Sequence, residues 1–310
     1  MTNLNHELAS MTKKERKEFQ REIARIERDQ ERKRRKRRRI VTILVTLVAV
    51  LAVLALIGWA VFSSLQNANR GPKNMLSDGI VLTGDGQAIT ATQTKPLEWG
   101  ATPVATTEGA AENQVSMRLY VDYSDKDAAT FSTSNLEQLQ QWLTAGYVTL
   151  EVHPVSLSGD GYGLRAANAA ACVADLAPDT FLAAHTALVA AQASATASTP
   201  SNEEIATALS SAGVTAEGVS ACITDGTFDG WVTGATERAT ASTLPGADTA
   251  LKSGALLLVN GEPYTGALDD PAEVIAFITQ VLEPAVQEEG VEGGTETPAP
   301  SGTPTPTPTP

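Results

Sequence analysis

The sequence predicts an α/β domain with a helical insertion, preceded by a single transmembrane helix. Three observations carry that reading. Residues 40–62 are a run of 23 uncharged, mostly apolar residues directly behind the basic block RKRRKRRR at 32–39. Beyond it, short runs of β-forming character at 79–82, 117–123, 147–153 and 255–259 are interleaved with helical patterns. Between the third and fourth of these runs the chain is Ala-rich, over residues 164–240.

At 1.5 Å per residue the apolar run spans about 34 Å, enough for a hydrocarbon core of roughly 30 Å. Flanking cations belong on the cytoplasmic side, so residues 1–39 are expected inside and everything after Phe62 outside. A cleaved signal peptide would have a shorter apolar core and a shorter charged leader, and no clean cleavage site follows Phe62. Residues 13–39 are rich in helix formers, with Glu18, Arg21, Glu22 and Arg25 at ion-pairing intervals. They read as a charged helix leading into the membrane, and the thin apolar face of Phe19, Ile23 and Ile26 leaves a partner-binding coiled coil open.

The net charge of −13 hides an asymmetry. Residues 1–39 hold 15 Lys or Arg against 7 Asp or Glu, and the remainder holds 8 against 29. The basic segment is therefore topogenic, and it attracts anionic lipid at about 1 kcal/mol per juxtamembrane cation. The acidic remainder argues against nucleic acid as a partner.

The expected division is a cytoplasmic basic helix at 1–39, the membrane helix at 40–62, a linker at 63–76, a folded domain at 77–286 and a disordered tail at 287–310. The tail ends in TPTPTPTP, which favours extended polyproline-like chain, and a glycosylated or wall-associated role fits it. In the domain, Gly79-Ile80-Val81-Leu82 runs into the turn Thr83-Gly84-Asp85-Gly86. A loose stretch rich in Thr, Ala, Pro and Gly follows, and residues 117–123 form the next strand. Ser134-Asn135-Leu136-Glu137 has the capping-box pattern, predicting a helix through Leu139, Trp142 and Leu143 to Ala145, stopped by Gly146. Residues 147–153 are a second strand of this unit. The Ala-rich helices break at Pro178, Pro200, Gly213 and Gly226. Residues 255–259 are a strand, Asn260-Gly261 a two-residue hairpin turn, and 262–265 the return. Pro271 opens a last helix with Val274, Phe277, Ile278 and Val281 on one face.

Two cysteines, Cys172 and Cys222, lie in the exported part, where an even count is most simply one disulfide. They are 50 positions apart and form no C-x-x-C. A relocated redox pair is the alternative to a structural bridge.

Read in order, the domain is β, α, β, helical insertion, β-hairpin, α. With RLYVDYS at 118–124, NLEQLQQWLTAGYVTLEVHPVSL at 135–157, YGLRAANAAACVAD at 162–175 and LLVNGEPYTG at 257–266, it resembles the DsbA-like branch of the thioredoxin superfamily. The resemblance covers residues 77–283 and implies a thioredoxin-like fold with an α-helical insertion. Its relatives are membrane-anchored or exported disulfide oxidoreductases. In them the strand runs straight into C-P-x-C, whose first thiol is activated at a helix N-terminus. Here those four positions are Asp125, Lys126, Asp127 and Ala128, and a carboxylate cannot form and break an S–S bond. The family's Thr-cis-Pro pair corresponds to Gly254-Ala255, so Ala255 stands where the proline would be. The resemblance also implies that Cys172 and Cys222 are a structural pair within the insertion.

The remaining candidates carry ordinary readings. Asp122, Asp125, Asp127 and Asp160 lack the Gly turn and distal Glu of a Ca²⁺ loop, and Asp125 and Asp127 suit a helix N-terminus. His153 and His185 have no neighbours for a triad or zinc site. No P-loop, G-x-S-x-G or H-E-x-x-H occurs, and no cofactor or metal is called for. Tyr123, Phe131 and Trp142 flank the degenerate site as core residues, or as a docking patch if exposed. The functional expectation is a non-catalytic protein that binds or scaffolds envelope proteins or peptides. The alternatives are a thiol-disulfide oxidoreductase acting through Cys172 and Cys222, and an architectural spacer.

Overall fold

The computed structural model describes residues 13–68, 70–105, 114–159, 161–194 and 199–291. The chain divides into two compact units, residues 1–65 and 66–310. The first is helix α1 (Lys13–Ala68, whose last residues fall in the second unit), 56 residues long. Its stretch Ala24–Val61 is long and apolar enough to cross a membrane, and among the described residues its Leu, Val and Ile side chains are exposed. The two threonines in that stretch return their hydroxyls to their own helix: Thr42 donates to the Arg38 carbonyl and Thr46 to that of Thr42. Such back-bonding leaves no hydroxyl to be satisfied by water, which suits a hydrocarbon phase.

The second unit is built on a six-stranded sheet. In chain order its elements are β1 (Ile80–Gly84), β2 (Ile89–Ala91), β3 (Val115–Asp122), α2 (Lys126–Thr144) and β4 (Val148–Val155). The insertion follows as α3 (Gly161–Leu176), a 3₁₀ turn (Pro178–Thr180), α4 (Phe181–Ser194), α5 (Asn202–Ser211), α6 (Val219–Thr224) and α7 (Asp229–Ala241). The chain then returns through β5 (Ala255–Val259), β6 (Glu262–Pro263) and α8 (Pro271–Val291). Strand order is β2-β1-β4-β3-β5-β6, with β3 and β4 parallel and the other neighbours antiparallel.

The period-two pattern sorts side chains cleanly onto the two faces. Met117, Leu119 and Val121 of β3, Val148, Leu150 and Val152 of β4, and Leu257 and Val259 of β5 join the main core with α2, α3 and α8. The opposite face carries Tyr120, Val155 and Leu258, which pack with Ala239, Leu244 and Leu251 as a second cluster. Helix α3 is buried almost all round, with Ala166, Ala167, Ala169, Ala170, Ala171 and Ala174 inside. A helix apolar on every side belongs in the centre of a bundle, and its small side chains let α4, α5, α6 and α7 crowd round it.

The structure departs from the sequence reading in four places. Helix α2 begins at Lys126, not at the Ser134 pattern, because the Asp125 side chain caps it one turn after β3. Ser134 lies within α2, where neighbouring Thr133 and Asn135 return hydrogen bonds to Ala129 and Phe131. Strand β2 was too short to announce itself in the loose stretch. Burial of the domain starts at Gly71 rather than at residue 77, since Met75 is fully enclosed and the Asn74 side chain bonds Ala174 and Thr94. Helix α8 runs past position 287 to Val291, and the rest of the expected tail, 292–310, lies outside the described residues.

The hairpin turn follows its sequence signal. Asn260 and Gly261 both have positive φ, at 51° and 90°. A Cβ on Gly261 would overlap the Gly246 carbonyl oxygen, so the position requires glycine twice over.

Candidate functional site

Strand β3 ends at Asp122, turns through Tyr123 and Ser124, and delivers Asp125 to the N-terminus of α2. Asp125 holds extended backbone and accepts from the Asp127 amide at 2.7 Å. Asp127 adds a second carboxylate in the first turn, where the helix dipole favours negative charge. Lys126 is exposed and Ala128 is buried. Residues 125–128, where the sequence resemblance would place a redox dithiol, form an acidic helix start.

The Gly254-Ala255 pair is brought against this helix start. The Asp122 amide donates to the Gly254 carbonyl at 2.7 Å, pinning the loop before β5 beside the β3–α2 turn. At Gly254 a Cβ would overlap the Asp125 side chain. The Gly254–Ala255 peptide is trans, as no cis peptide occurs among the described residues. Asp125 and this loop are therefore packed together, and only a residue without a side chain fits at 254. This partnership is the part of the site that sequence reasoning missed, because it pairs positions more than a hundred residues apart.

Asp122 itself is a buried structural carboxylate. It accepts from the Ser124 amide and hydroxyl at 2.9 and 2.6 Å and from the Leu157 amide at 2.8 Å. A Cβ on Gly163 would stand 2.5 Å from the same carboxylate, so the first turn of α3 comes down directly onto it. Asp160 lies outside the described residues. Among the described residues no three His, Cys, Asp or Glu side chains converge as a metal site.

Cys172 and Cys222 are joined as a disulfide between α3 and α6. Cys172 is wholly enclosed, while Cys222 is partly exposed. Attack by an external thiolate on the Cys172 sulfur therefore requires prior opening of the bundle.

The two histidines have distinct surroundings. His185 of α4 bridges the Tyr123 hydroxyl, 3.0 Å from Nδ1, and the Ser132 hydroxyl, 3.1 Å from Nε2. Burial pushes its pKa down to about 4, so the ring is neutral near pH 7. His153 lies on the other sheet face, stacked on Tyr120 with ring centroids 4.4 Å apart. Beside it, burial would raise the Glu151 carboxyl, but the His153 ring, the Ser77 hydroxyl and the Arg118 guanidinium overcome this and hold it at about 2. Arg118 reaches Glu151 at 3.0 Å and also donates to the Pro245 carbonyl. Tyr123 and Phe131 are core residues and Trp142 is half-buried against the same core, so they form no exposed patch.

The Thioredoxin family model matches residues 102–247. No curated protein matches the chain. Among solved structures it is similar to MdbA, a thiol-disulfide oxidoreductase from Actinomyces oris, at 21% identity over 57% of this chain and 84% of that one, with TM-score 0.45. It is similar to oxidised DsbA of Mycobacterium tuberculosis at 20% identity, covering 70% and 100% of the two chains, with TM-score 0.48. Oxidised BdbD from Bacillus subtilis is 17% identical over 56% and 91%, with TM-score 0.46. The family model ends before β5, and the chain's own β3-α2-β4 unit, inserted helices and β5-β6-α8 return complete the pattern. The family model thus spans the middle of the domain, and the topology of the sheet with its inserted helices is thioredoxin-like.

Proposed function

We propose that this is a membrane-tethered, extracytoplasmic thioredoxin-fold protein that binds envelope proteins or peptides without exchanging disulfides. One observation carries the reading: the Asp125 carboxylate caps α2 and packs against Gly254 where the family's chemistry needs a thiolate. No nucleophilic sulfur stands at that helix start, and the retained fold leaves recognition as the remaining task. The basic segment at 32–39 holds the N-terminus in the cytoplasm and meets anionic lipid.

The second reading is exchange through Cys172 and Cys222, favoured by the existence of the bridge and weakened by the complete enclosure of Cys172. One experiment separates them. The full chain in membranes carries a photo-crosslinker at exposed Lys126, and insulin reduction is assayed in parallel. The binding reading expects a discrete crosslinked envelope protein that persists in the Cys172→Ser/Cys222→Ser variant, with no turnover by either protein. Turnover that disappears in that variant would establish the oxidoreductase instead.

A further inference from the structure

The apolar residues of α1 follow a seven-residue repeat through its membrane-crossing stretch. Positions 40, 44, 47, 51, 54, 58 and 61 advance in alternating steps of four and three, and they carry Ile, four Leu, Gly and Val. Four of the five leucines between residues 40 and 62 fall on this line. Thr42 and Thr46 lie off it and bond back to their own helix. The same phase continues on the basic, N-terminal side: Ile26 stands two heptads before Ile40, and Ile23 and Phe19 precede it at steps of three and four. Because α1 is one uninterrupted helix, these positions belong to the stripe that the leucines form. A straight helix of 3.6 residues per turn drifts about 20° per heptad, so it would carry the stripe roughly 120° round its axis between Phe19 and Val61. A strict seven-residue repeat stays on one side only when the helix winds left-handed about a partner with the same repeat. Lipid imposes no such period.

Gly58 supplies an independent observation. Glycine weakens a helix interior relative to alanine, yet a Cβ here would meet nothing within 4 Å among the described residues. Its own helix therefore has no use for the missing side chain. On the seam of a helix pair the use is plain, since it lets two backbones approach closely.

The chain offers no partner helix among the described residues: Ala24–Val61 is the one stretch long and apolar enough to cross a membrane, and the seam leucines are more than half exposed. A second copy enters the membrane in the same orientation and presents the same repeat at the same depth, so its stripe is complementary by symmetry. Gln30, Lys33 and Arg37 hold the seam positions between the two apolar stretches. Polar residues at such positions lower stability but specify the register of the pairing. The basic blocks at 32–39 repel one another, but their long side chains reach outward to the headgroups, where anionic lipid neutralises them. We propose that α1 pairs with α1 of a second copy as a parallel, left-handed coil, with Leu44, Leu47, Leu51 and Leu54 interlocked and Gly58 at close approach. The inference rests on the membrane-tethered reading and goes beyond it by giving the anchor a partner.

The test uses the full chain reconstituted into vesicles of phosphatidylcholine and phosphatidylglycerol. Single cysteines are introduced in turn along residues 44–54 and oxidised with copper phenanthroline, Cys172 and Cys222 being consumed by their own bridge. The expected result is dimer on non-reducing gels from 44, 47, 51 and 54 and little from 45, 49 and 53, which lie on the far side. Separately, energy transfer between labelled copies should show Leu47→Ala/Leu54→Ala associating at least about tenfold more weakly than the unsubstituted chain, with Val45→Ala/Val53→Ala within about twofold of it. Crosslinking of equal strength all round the helix, or equal association of the two double variants, would overturn the proposal. Resistance to alkaline extraction is read on the same vesicles. A retained but monomeric chain overturns the pairing and leaves the tether standing, whereas an extracted chain overturns the tether and the pairing with it. If only the leucine variant is extracted, the cysteine pattern decides.

Discussion

Replacing His185 with Gln should flatten the acid side of the domain's stability curve. His185 is 1% exposed and its two nitrogens lie against the Tyr123 and Ser132 hydroxyls, which a neutral ring satisfies with one donor and one acceptor. The folded ring titrates at about 4, against 6.5 for an unperturbed histidine. Above pH 6.5 both the folded and unfolded chains hold it neutral, and its contribution to stability is fully present. As pH falls from 6.5 towards 4 the unfolded chain takes up a proton that the folded one refuses, so stability is lost through that window. At 1.36 kcal/mol per pKa unit the whole window is worth about 3 kcal/mol. Glu151 has a depressed pKa as well, but its contribution is lost only below 4.5, so measurements between pH 4.5 and 7.5 isolate the histidine. Urea unfolding followed by tryptophan fluorescence should show the wild-type midpoint falling across this range at constant slope m. His185→Gln should start lower at pH 7.5 and vary little. Equal pH dependence in the two proteins would refute the reasoning.

Three further outcomes follow from the geometry. Gly254→Ala should destabilise by about 1–3 kcal/mol through overlap with Asp125, and Asp125→Ala in the same chain should recover part of that loss; simple additivity in denaturant melts would contradict the contact. Cys172→Ser with Cys222→Ser opens a loop of 50 residues, a loss of about 4 kcal/mol in the chain-entropy model, readable as a lower thermal midpoint; an unchanged midpoint would refute a structural role. Asp122→Asn keeps the shape but removes the charge that accepts from Ser124 and Leu157, and a cost of about 1–3 kcal/mol is expected in the same melts; a neutral result would mean that these bonds contribute little.

Much of the fold was written locally. The β3 and β4 strands carry their own apolar alternation, β5 is a short continuous apolar run, and Asn260-Gly261 specifies its turn by backbone preference alone. Signals failed where a long-range partner decided the outcome. The Ser134 pattern is a legitimate start signal, overruled because Asp125 already caps the helix at the end of β3. Residues 71–75 have no periodic pattern, and all but Lys73 are buried, with Asn74 bonding into the insertion from outside it. At the candidate site the absence of sulfur at residues 125–128 and of proline at 255 was legible from residue identity. The packing of these two places against each other was not, because nothing near position 125 encodes what stands at 254.

The inserted helices also set an order of assembly. β3 is one of the two central strands: it pairs in parallel with β4, the next strand along the chain, but its other side waits for β5, as in Met117 with Val259. During synthesis, β3 and β4 therefore emerge with a long hydrogen-bonding edge uncovered, the kind of edge that recruits strands from other molecules. Loop closure across the insertion becomes easier once the insertion is itself compact, and the bridge from α3 to α6 fixes that compact form. Oxidation of Cys172 and Cys222 thus serves productive folding as well as final stability. A chain that emerges reduced is exposed longest at the edge β5 must fill, and aggregation there is the failure to which this topology is most open.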